Sequence, residues 1–320
     1  MGLPTDRPVL SATIDREAAA RLMAPLTELV AHAGAAILQA DRTRMRIDGK
    51  ADGSPVTEAD LAADRVIAEG LDRLAPDIPA LSEERVAPGS GGCPKDCPRA
   101  FFLIDPLDGT KEFVAGRDEF TVNLALVVDG TPLLGIIGAP ALGLIWRGLV
   151  GQSTDKQGTD KHAERLVVTN NGTGHGVGLG IGLGIGLGIG LEIGLAQPIR
   201  TRPFPSPGKP WIAAVSRSHG DAATEAFIDA RPGAIRERLG SAVKLAKVAE
   251  GTVDIYPRLA PTSEWDIAAG HAIVTAAGGK VTDAEGGDLR YGRCLRQGSG
   301  IGAKDFIVPA FIAWGDPTEG

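Results

Sequence analysis

The sequence predicts a mixed α and β protein, on three observations. Of 320 residues, 43% are hydrophobic but only 4% aromatic, so the core must be built mainly from Ala, Val, Leu and Ile. Two segments carry apolar residues at three- and four-residue spacing, the mark of amphipathic helices packed on a core. A third, FFLI at 101–104, is a short unbroken apolar run, the mark of a strand buried on both faces.

Taken in order, residues 17–40 (EAAARLMAPLTELVAHAGAAILQA) read as a helix despite Pro25. A second helix begins after Thr57, its N-cap, with Asp60 three residues on in a variant of the capping box. After FFLI, the segments FTVNLALVVDG and TPLLGIIGAP read as two strands joined at Asp129-Gly130, and LIWRGLV adds another. Residues 174–195 alternate glycine with an aliphatic residue almost without break. A membrane helix is disfavoured there, because each glycine costs about 1 kcal/mol relative to Ala. The dinucleotide pattern GxGxxG fails by parity, since the repeat places an aliphatic residue at every i+5. What remains is an inserted loop or irregular β-ribbon without function, whose apolar side is an association hazard. Beyond the Pro-rich QPIRTRPFPSPGKP come WIAAVS (strand), DAATEAFIDA (helix), SAVKLAKVAEG (helix) and VDIYP (strand). WDIAAGHAIVTAAGG is then a helix stopped by Gly278-Gly279.

The net charge of −7, with both signs interspersed, provides no cationic face for long nucleic acid. A carboxylate cluster in such a chain would instead attract divalent cations, which a small anionic substrate would need as a bridge. The first twenty residues lack the charged and apolar regions of a secretory signal, and Asp6 stands where myristoylation wants Ser or Thr. Cys93, Cys97 and Cys294 are an odd count without CxxC spacing, read as thiols of a reducing cytoplasm rather than a zinc site or disulfide. The five histidines form no zinc-type cluster.

Asp105 stands where the buried strand FFLI ends, and Asp108 follows one turn later with Pro106 stiffening the link. This spacing can aim two carboxylates and the Leu107 carbonyl at one volume, as a hard cation such as Mg²⁺ requires. Gly109 and Thr110 follow; opening a helix, their N–H groups would face a phosphate. The plain alternative is a Pro-Leu-Asp-Gly turn. Glu83, Asp60 and Asp266 each have a plain reading too: a solvated turn residue, a capping partner and a helix N-terminal charge. Ser216-Arg217-Ser218-His219, with Ser241 and Lys244 at a helix start, supplies donors for a second phosphate and a base or ribose, or equally a capped loop and a solvated helix face.

DPLDGT, SPVTEAD, LSEE and WDIAAGHAIVTAAGG occur together, and in combination they resemble the motifs of the lithium-sensitive, magnesium-dependent phosphomonoesterase superfamily that includes the inositol monophosphatases. KADGSPVTEAD, DPLDGTKEF, EFTVNLAL, SRSH and GSAVKLAKVAEG with YPR are similar to its 3'(2'),5'-bisphosphate nucleotidase branch, the CysQ type. The similarity covers residues 20–290 except the glycine tract.

The resemblance implies a layered α-β-α-β-α sandwich with two or three Mg²⁺ between two subdomains. Carried over, Glu83, Asp105, Asp108, Asp266 and the Leu107 carbonyl would be metal ligands, and Asp60 and Thr110, with Glu83, would serve the attacking water. Gly109, Thr110, Lys111 and Asp266 would meet the phosphate, and Ser216, His219, Ser241, Lys244 and Arg258 would line the nucleotide site. The implied reaction is hydrolysis of the 3'-phosphate of adenosine 3',5'-bisphosphate by in-line attack of metal-activated water, with 3'-phosphoadenylyl sulfate as a further candidate. An inositol or sugar phosphatase is the alternative within the class, and a non-catalytic metal-binding or assembly protein the alternative outside it. The expected organisation is a metal-binding subdomain at 17–165, the Gly-rich insertion and Pro-rich connection at 166–210, and a completing subdomain at 211–320. The expected setting is the cytoplasm, with loose inner-membrane association the second option, no integral membrane segment, and a monomer or homodimer. Departures from the family pattern are the stretch before residue 17, the glycine tract and GSGGCPKDCPR, where Cys93 and Cys97 offer a redox-sensitive loop.

Overall fold

The computed structural model describes residues 14–42, 47–49, 55–86, 98–151, 162–170, 190–206, 209–218, 220–297 and 302–318. The expectations for Cys93, Cys97, His219 and residues 174–189 lie outside the described residues.

Helix α1 (Arg16–Gln39) starts at Asp15, whose Oδ1 accepts from the Ala18 N–H at 2.7 Å. Pro25 lies inside it, and its stripe of Leu26, Leu29, Val30, Ala33 and Ile37 is buried. By length and composition α1 could cross a membrane, but 72% of its apolar window is packed inside the protein. The short strands β1 (Ile47–Gly49) and β2 (Pro55–Thr57) pair and lead into α2 (Glu58–Leu74), where Thr57 and Asp60 form the expected capping box.

The first large sheet is built from β3 (Ala80–Ser82), β4 (Ala100–Asp108), β5 (Thr121–Val128), β6 (Thr131–Ala139), β7 (Leu144–Leu149), β8 (His162–Asn170), β9 (Leu191–Ile193) and β10 (Gln197–Pro198), with the short helix α3 (Thr110–Val114) between β4 and β5. Its order is β10-β8-β7-β6-β5-β4-β3, with β9 also paired to β8. All pairings are antiparallel except β3 with β4. The β5–β6 turn has positive φ at both Asp129 and Gly130, 50° and 77°, as a tight hairpin on Asp-Gly requires.

The second sheet takes β11 (Ile212–Ser216), β12 (Ile235–Leu239), β13 (Ile255–Arg258), β15 (Lys280–Thr282) and β17 (Phe311–Trp314) in the order β12-β11-β13-β17-β15. Between them run α4 (Ala222–Asp229), α5 (Val243–Ala249) and α6 (Glu264–Ala277), and β14 (Thr262–Ser263) pairs with β16 (Ile307–Val308).

These elements stack in five layers: α1 with α2, the large sheet, α5 with α6, the smaller sheet, and α4. The α-β-α-β-α sandwich is therefore present, and period-two patterning explains its centre. Phe102, Ile104, Val122, Leu124 and Leu126 join the core under α1 and α2, whereas Phe101, Leu103, Ala125 and Val127 join the core around α5 and α6. A strand buried on both faces needs no polar alternation, which is why FFLI is apolar throughout. Glycine lets α6 lie against the sheet, since a Cβ at Gly135 would stand 2.1 Å from the Ala269 carbonyl oxygen.

One expectation is corrected. The boundary at residue 165 falls inside β8, because β8 stays paired to β7 as far as Val167, and β9 and β10 return to the same sheet. Of the segment read as an inserted loop or irregular β-ribbon, Leu191–Ile193 is a strand paired to β8.

Candidate active site

Asp105 and Asp108 are three positions apart, so in an unbroken strand they would face opposite sides of the sheet. The ladder resolves this. Asp105 pairs with Asn123 and Asp108 with Thr121, so β4 carries one more residue than β5 over the same interval. That bulge restores the phase and places both carboxylates on one face. Pro106, which has no N–H to contribute to a ladder, occupies the irregular step. The Leu107 N–H donates to Asp105 Oδ1 at 3.0 Å and holds the buried carboxylate in place.

Asp266 arrives from α6, where it is the third helical residue. Its Oδ2 accepts from the Ser263 N–H at 3.2 Å and from the Thr262 hydroxyl. One carboxylate oxygen each from Asp105, Asp108 and Asp266 lies within 4.8 Å of the others. Burial, and then the negative charges of Asp108 and Glu83, push the Asp266 carboxyl up to about 7. Carboxylates crowded against their own repulsion fit a hard divalent cation, which relieves it. Glu83 lines the same cavity because the parallel ladder of β3 with β4 ends at Ser82 opposite Ile104, one residue before Asp105, and its N–H donates to the Ile104 carbonyl at 3.1 Å.

A cavity of about 360 Å³ opens here, floored by Glu83, Asp105, Leu107, Asp108 and Asp266. Gly109, Thr110 and Lys111 form one wall. Gly109 has φ of 89°, a left-handed conformation open to glycine without strain. Thr110 Oγ1 lies 3.1 Å from Asp60 Oδ1 and 3.2 Å from the Leu107 carbonyl, and its single proton serves one acceptor at a time. Asp60, 1% exposed, meets the cavity wall through Thr110, and its Oδ2 accepts from the Thr57 N–H at 2.8 Å and the Thr57 hydroxyl at 2.6 Å.

The opposite wall comes from the second sheet. Ser216 ends β11, Arg258 ends β13, Ser241 lies on the link into α5 and Lys244 in its first turn; all four line the cavity. Arg258 donates to the Pro261 carbonyl at 3.2 Å, while its buried Nε has no hydrogen-bond partner among the described residues. Arg217 and Ser218, read either as donors for a second phosphate or as part of a capped loop, meet partners within the chain: Arg217 grips Glu119 and Ser218 donates to Glu112. Both are held by carboxylates of the chain itself. The structure also adds Glu112, Tyr256 and Thr262 to the lining. Thr262 was visible in principle, as a hydroxyl four residues before Asp266, whereas Glu112 and Tyr256 give no local signal.

The family described as the inositol monophosphatase family matches residues 19–312, and the chain belongs to it. The 3'(2'),5'-bisphosphate nucleotidase CysQ of Shigella flexneri is 36% identical over 266 residues, covering 82% of this chain and 91% of that protein. The CysQ nucleotidase of Buchnera aphidicola is 30% identical over 85% of this chain and 88% of its own length. Among solved structures, CysQ from Bacteroides thetaiotaomicron superposes with a TM-score of 0.65 at 30% identity, covering 92% of this chain and 97% of that one. An inositol monophosphatase from Anabaena shares the fold at 21% identity and a TM-score of 0.61. The resemblance carried by DPLDGT and its companion motifs is borne out, and the enzyme class it implies, a phosphoric monoester hydrolase, is that of the named relatives.

Proposed function

We propose that this chain is a magnesium-dependent phosphatase that removes the 3'-phosphate of adenosine 3',5'-bisphosphate, releasing AMP and phosphate. The observation that carries this reading is the convergence of Asp105, Asp108 and Asp266, with oxygens within 4.8 Å, beside the Thr110–Asp60 pair. Glu83, Asp105, Asp108, Asp266 and the Leu107 carbonyl would hold two or three Mg²⁺ ions. Bound there, the cations would supply Lewis acidity, offsetting phosphate charge and making water a stronger acid.

The chain's own groups do the rest. Thr110, with its proton directed to Asp60, turns an oxygen lone pair toward a water and so orients it for in-line attack at phosphorus. Metal storage alone has no use for such a pair. The Gly109 and Thr110 amides and Lys111 offer donors to the phosphate oxygens. On the far wall Ser216, Ser241, Lys244 and Arg258 receive the nucleotide, and an anion would satisfy the buried Arg258 Nε. The choice of nucleotide rests on the names of the relatives at 30–36% identity. The sulfate-bearing nucleotide, 3'-phosphoadenylyl sulfate, presents the same 3'-phosphate and is a second substrate of the same site. An odd cysteine count suits a reducing compartment, and we place the enzyme in the cytoplasm.

The test is turnover of adenosine 3',5'-bisphosphate against inositol 1-phosphate over a Mg²⁺ titration. The nucleotide should be hydrolysed faster, with activity lost on chelation. Faster release from the inositol ester would assign the chain to the polyol branch, and release indifferent to Mg²⁺ would remove the metal from the reading.

A further inference from the structure

Glu119 lies between α3 and β5, outside the cavity, yet it holds two of the segments that form the far wall. Arg217 donates to it through Nε at 3.1 Å to Oε2 and through Nη2 at 2.9 Å to Oε1 and to Oε2. The Gly240 N–H donates to the same Oε2 at 2.8 Å. Arg217 adjoins Ser216, and Gly240 adjoins Ser241, so one carboxylate fixes the neighbours of two cavity residues. Glycine is needed at 240, since a Cβ there would lie 2.6 Å from the Glu119 carbonyl oxygen.

Ser241 has φ of 50°, in the left-handed region that costs a non-glycine residue about 1 kcal/mol or more, and such a residue persists only where its surroundings dictate it. Three contacts do so: Gly240 on Glu119, the Ala242 N–H to Ser241 Oγ at 2.6 Å, and Ser241 Oγ to Thr121 Oγ1 at 2.6 Å. Thr121 in turn donates to Asn123 Oδ1 at 2.9 Å. Thr121 and Asn123 are the ladder partners of Asp108 and Asp105. The hydroxyl chain thus runs from the strand beside the acidic cluster directly to Ser241.

We infer that Glu119 and Thr121 are positioning residues that set the distance between the phosphate-cleaving floor and the nucleotide-reading wall, so that they govern affinity for a two-ended substrate. The inference rests on the bisphosphate reading above. A partly exposed ion pair adds little to stability, so the effect belongs to recognition rather than folding.

The experiment measures kcat and KM for adenosine 3',5'-bisphosphate and for p-nitrophenyl phosphate, at saturating Mg²⁺, in the full chain and in Glu119→Ala, Glu119→Gln and Thr121→Val. In Glu119→Ala and Thr121→Val, KM for the bisphosphate should rise about tenfold with kcat within about threefold, and KM for the small ester should stay within about twofold. Glu119→Gln, which keeps an acceptor for Gly240, should recover most of the loss. Should Glu119→Ala fail to fold, Thr121→Val, close to threonine in shape, decides alone. Unchanged KM for both esters, or equal losses on both, overturns the inference while leaving the substrate reading intact. A wild-type enzyme inert toward the bisphosphate overturns both.

Discussion

Asp60 and Asp266 each close a helix cap with one carboxylate oxygen, and each belongs to the candidate site. The cap therefore serves the chemistry by immobilising the side chain. Asp105 is held differently, by the Leu107 N–H inside the bulge. In Asp105→Asn the shape is kept and the charge lost, so turnover should fall by on the order of 10³-fold. On the proposed reading Mg²⁺ should raise the Tm of the parent but not of this variant, which a thermal melt with and without the ion would read. His271 presents a separate residue-scale effect. Burial lowers its pKa from 6.5 to about 4, opposed by the negative charge of Asp288, and its Nδ1 lies 2.9 Å from the Tyr291 hydroxyl. The folded protein holds the ring neutral. Its stabilisation is thus complete above pH 6.5 and is lost as pH falls toward 4. Urea midpoints at pH 7 and 4.5 should differ less in His271→Gln than in the parent.

At the scale of elements, α6 decides where Asp266 stands, and its seat depends on glycines in β6 and β7. A Cβ at Gly148 would stand 2.8 Å from the Ile273 Cα, much as Gly135 meets Ala269. Gly135→Ala should cost about 1–3 kcal/mol by overpacking and should also weaken Mg²⁺ binding, since α6 cannot move without carrying Asp266. Gly220→Ala, with nothing within 4 Å of the added atom, should stay within about 0.5 kcal/mol. Calorimetric Mg²⁺ titration and denaturant unfolding of the two variants separate the outcomes. Elements differ in how well they were legible. The helices around residues 17–40, 58–74 and 264–277 announced themselves by cap and periodicity, and the Asp129-Gly130 hairpin by its dipeptide. β12 did not, because IRERL is a sheet-edge strand with charged residues, and β15, only three residues long, is too short for a period.

For the whole molecule, two sheets held apart by α5 and α6 create the cavity between a floor from the first and a wall from the second. In the segment that holds the glycine-aliphatic repeat, Asn170 and Leu191 are ladder partners at the end of the β8–β9 pair. Removing residues 172–189 would leave Asn171-Gly190 as a two-residue connection, the dipeptide that tight hairpins favour. The shortened protein should fold, keep kcat/KM within about twofold, and scatter less light at high concentration. Loss of folding would show the tract to be part of the structure.

Amino-acid order alone determined the fold class, the main helices, the central strands and the identity of the acidic residues, because caps, periods and turn dipeptides act within a few positions of each other. It also carried the motifs that place the chain in its family. Only the tertiary structure decided that a bulge brings Asp105 and Asp108 to one face, that α6 delivers Asp266 to them from 158 positions beyond Asp108, and that Arg217 and Ser218 bind carboxylates of the chain itself. Those outcomes depend on pairing between distant strands, whose register is set by packing that no short stretch of sequence contains.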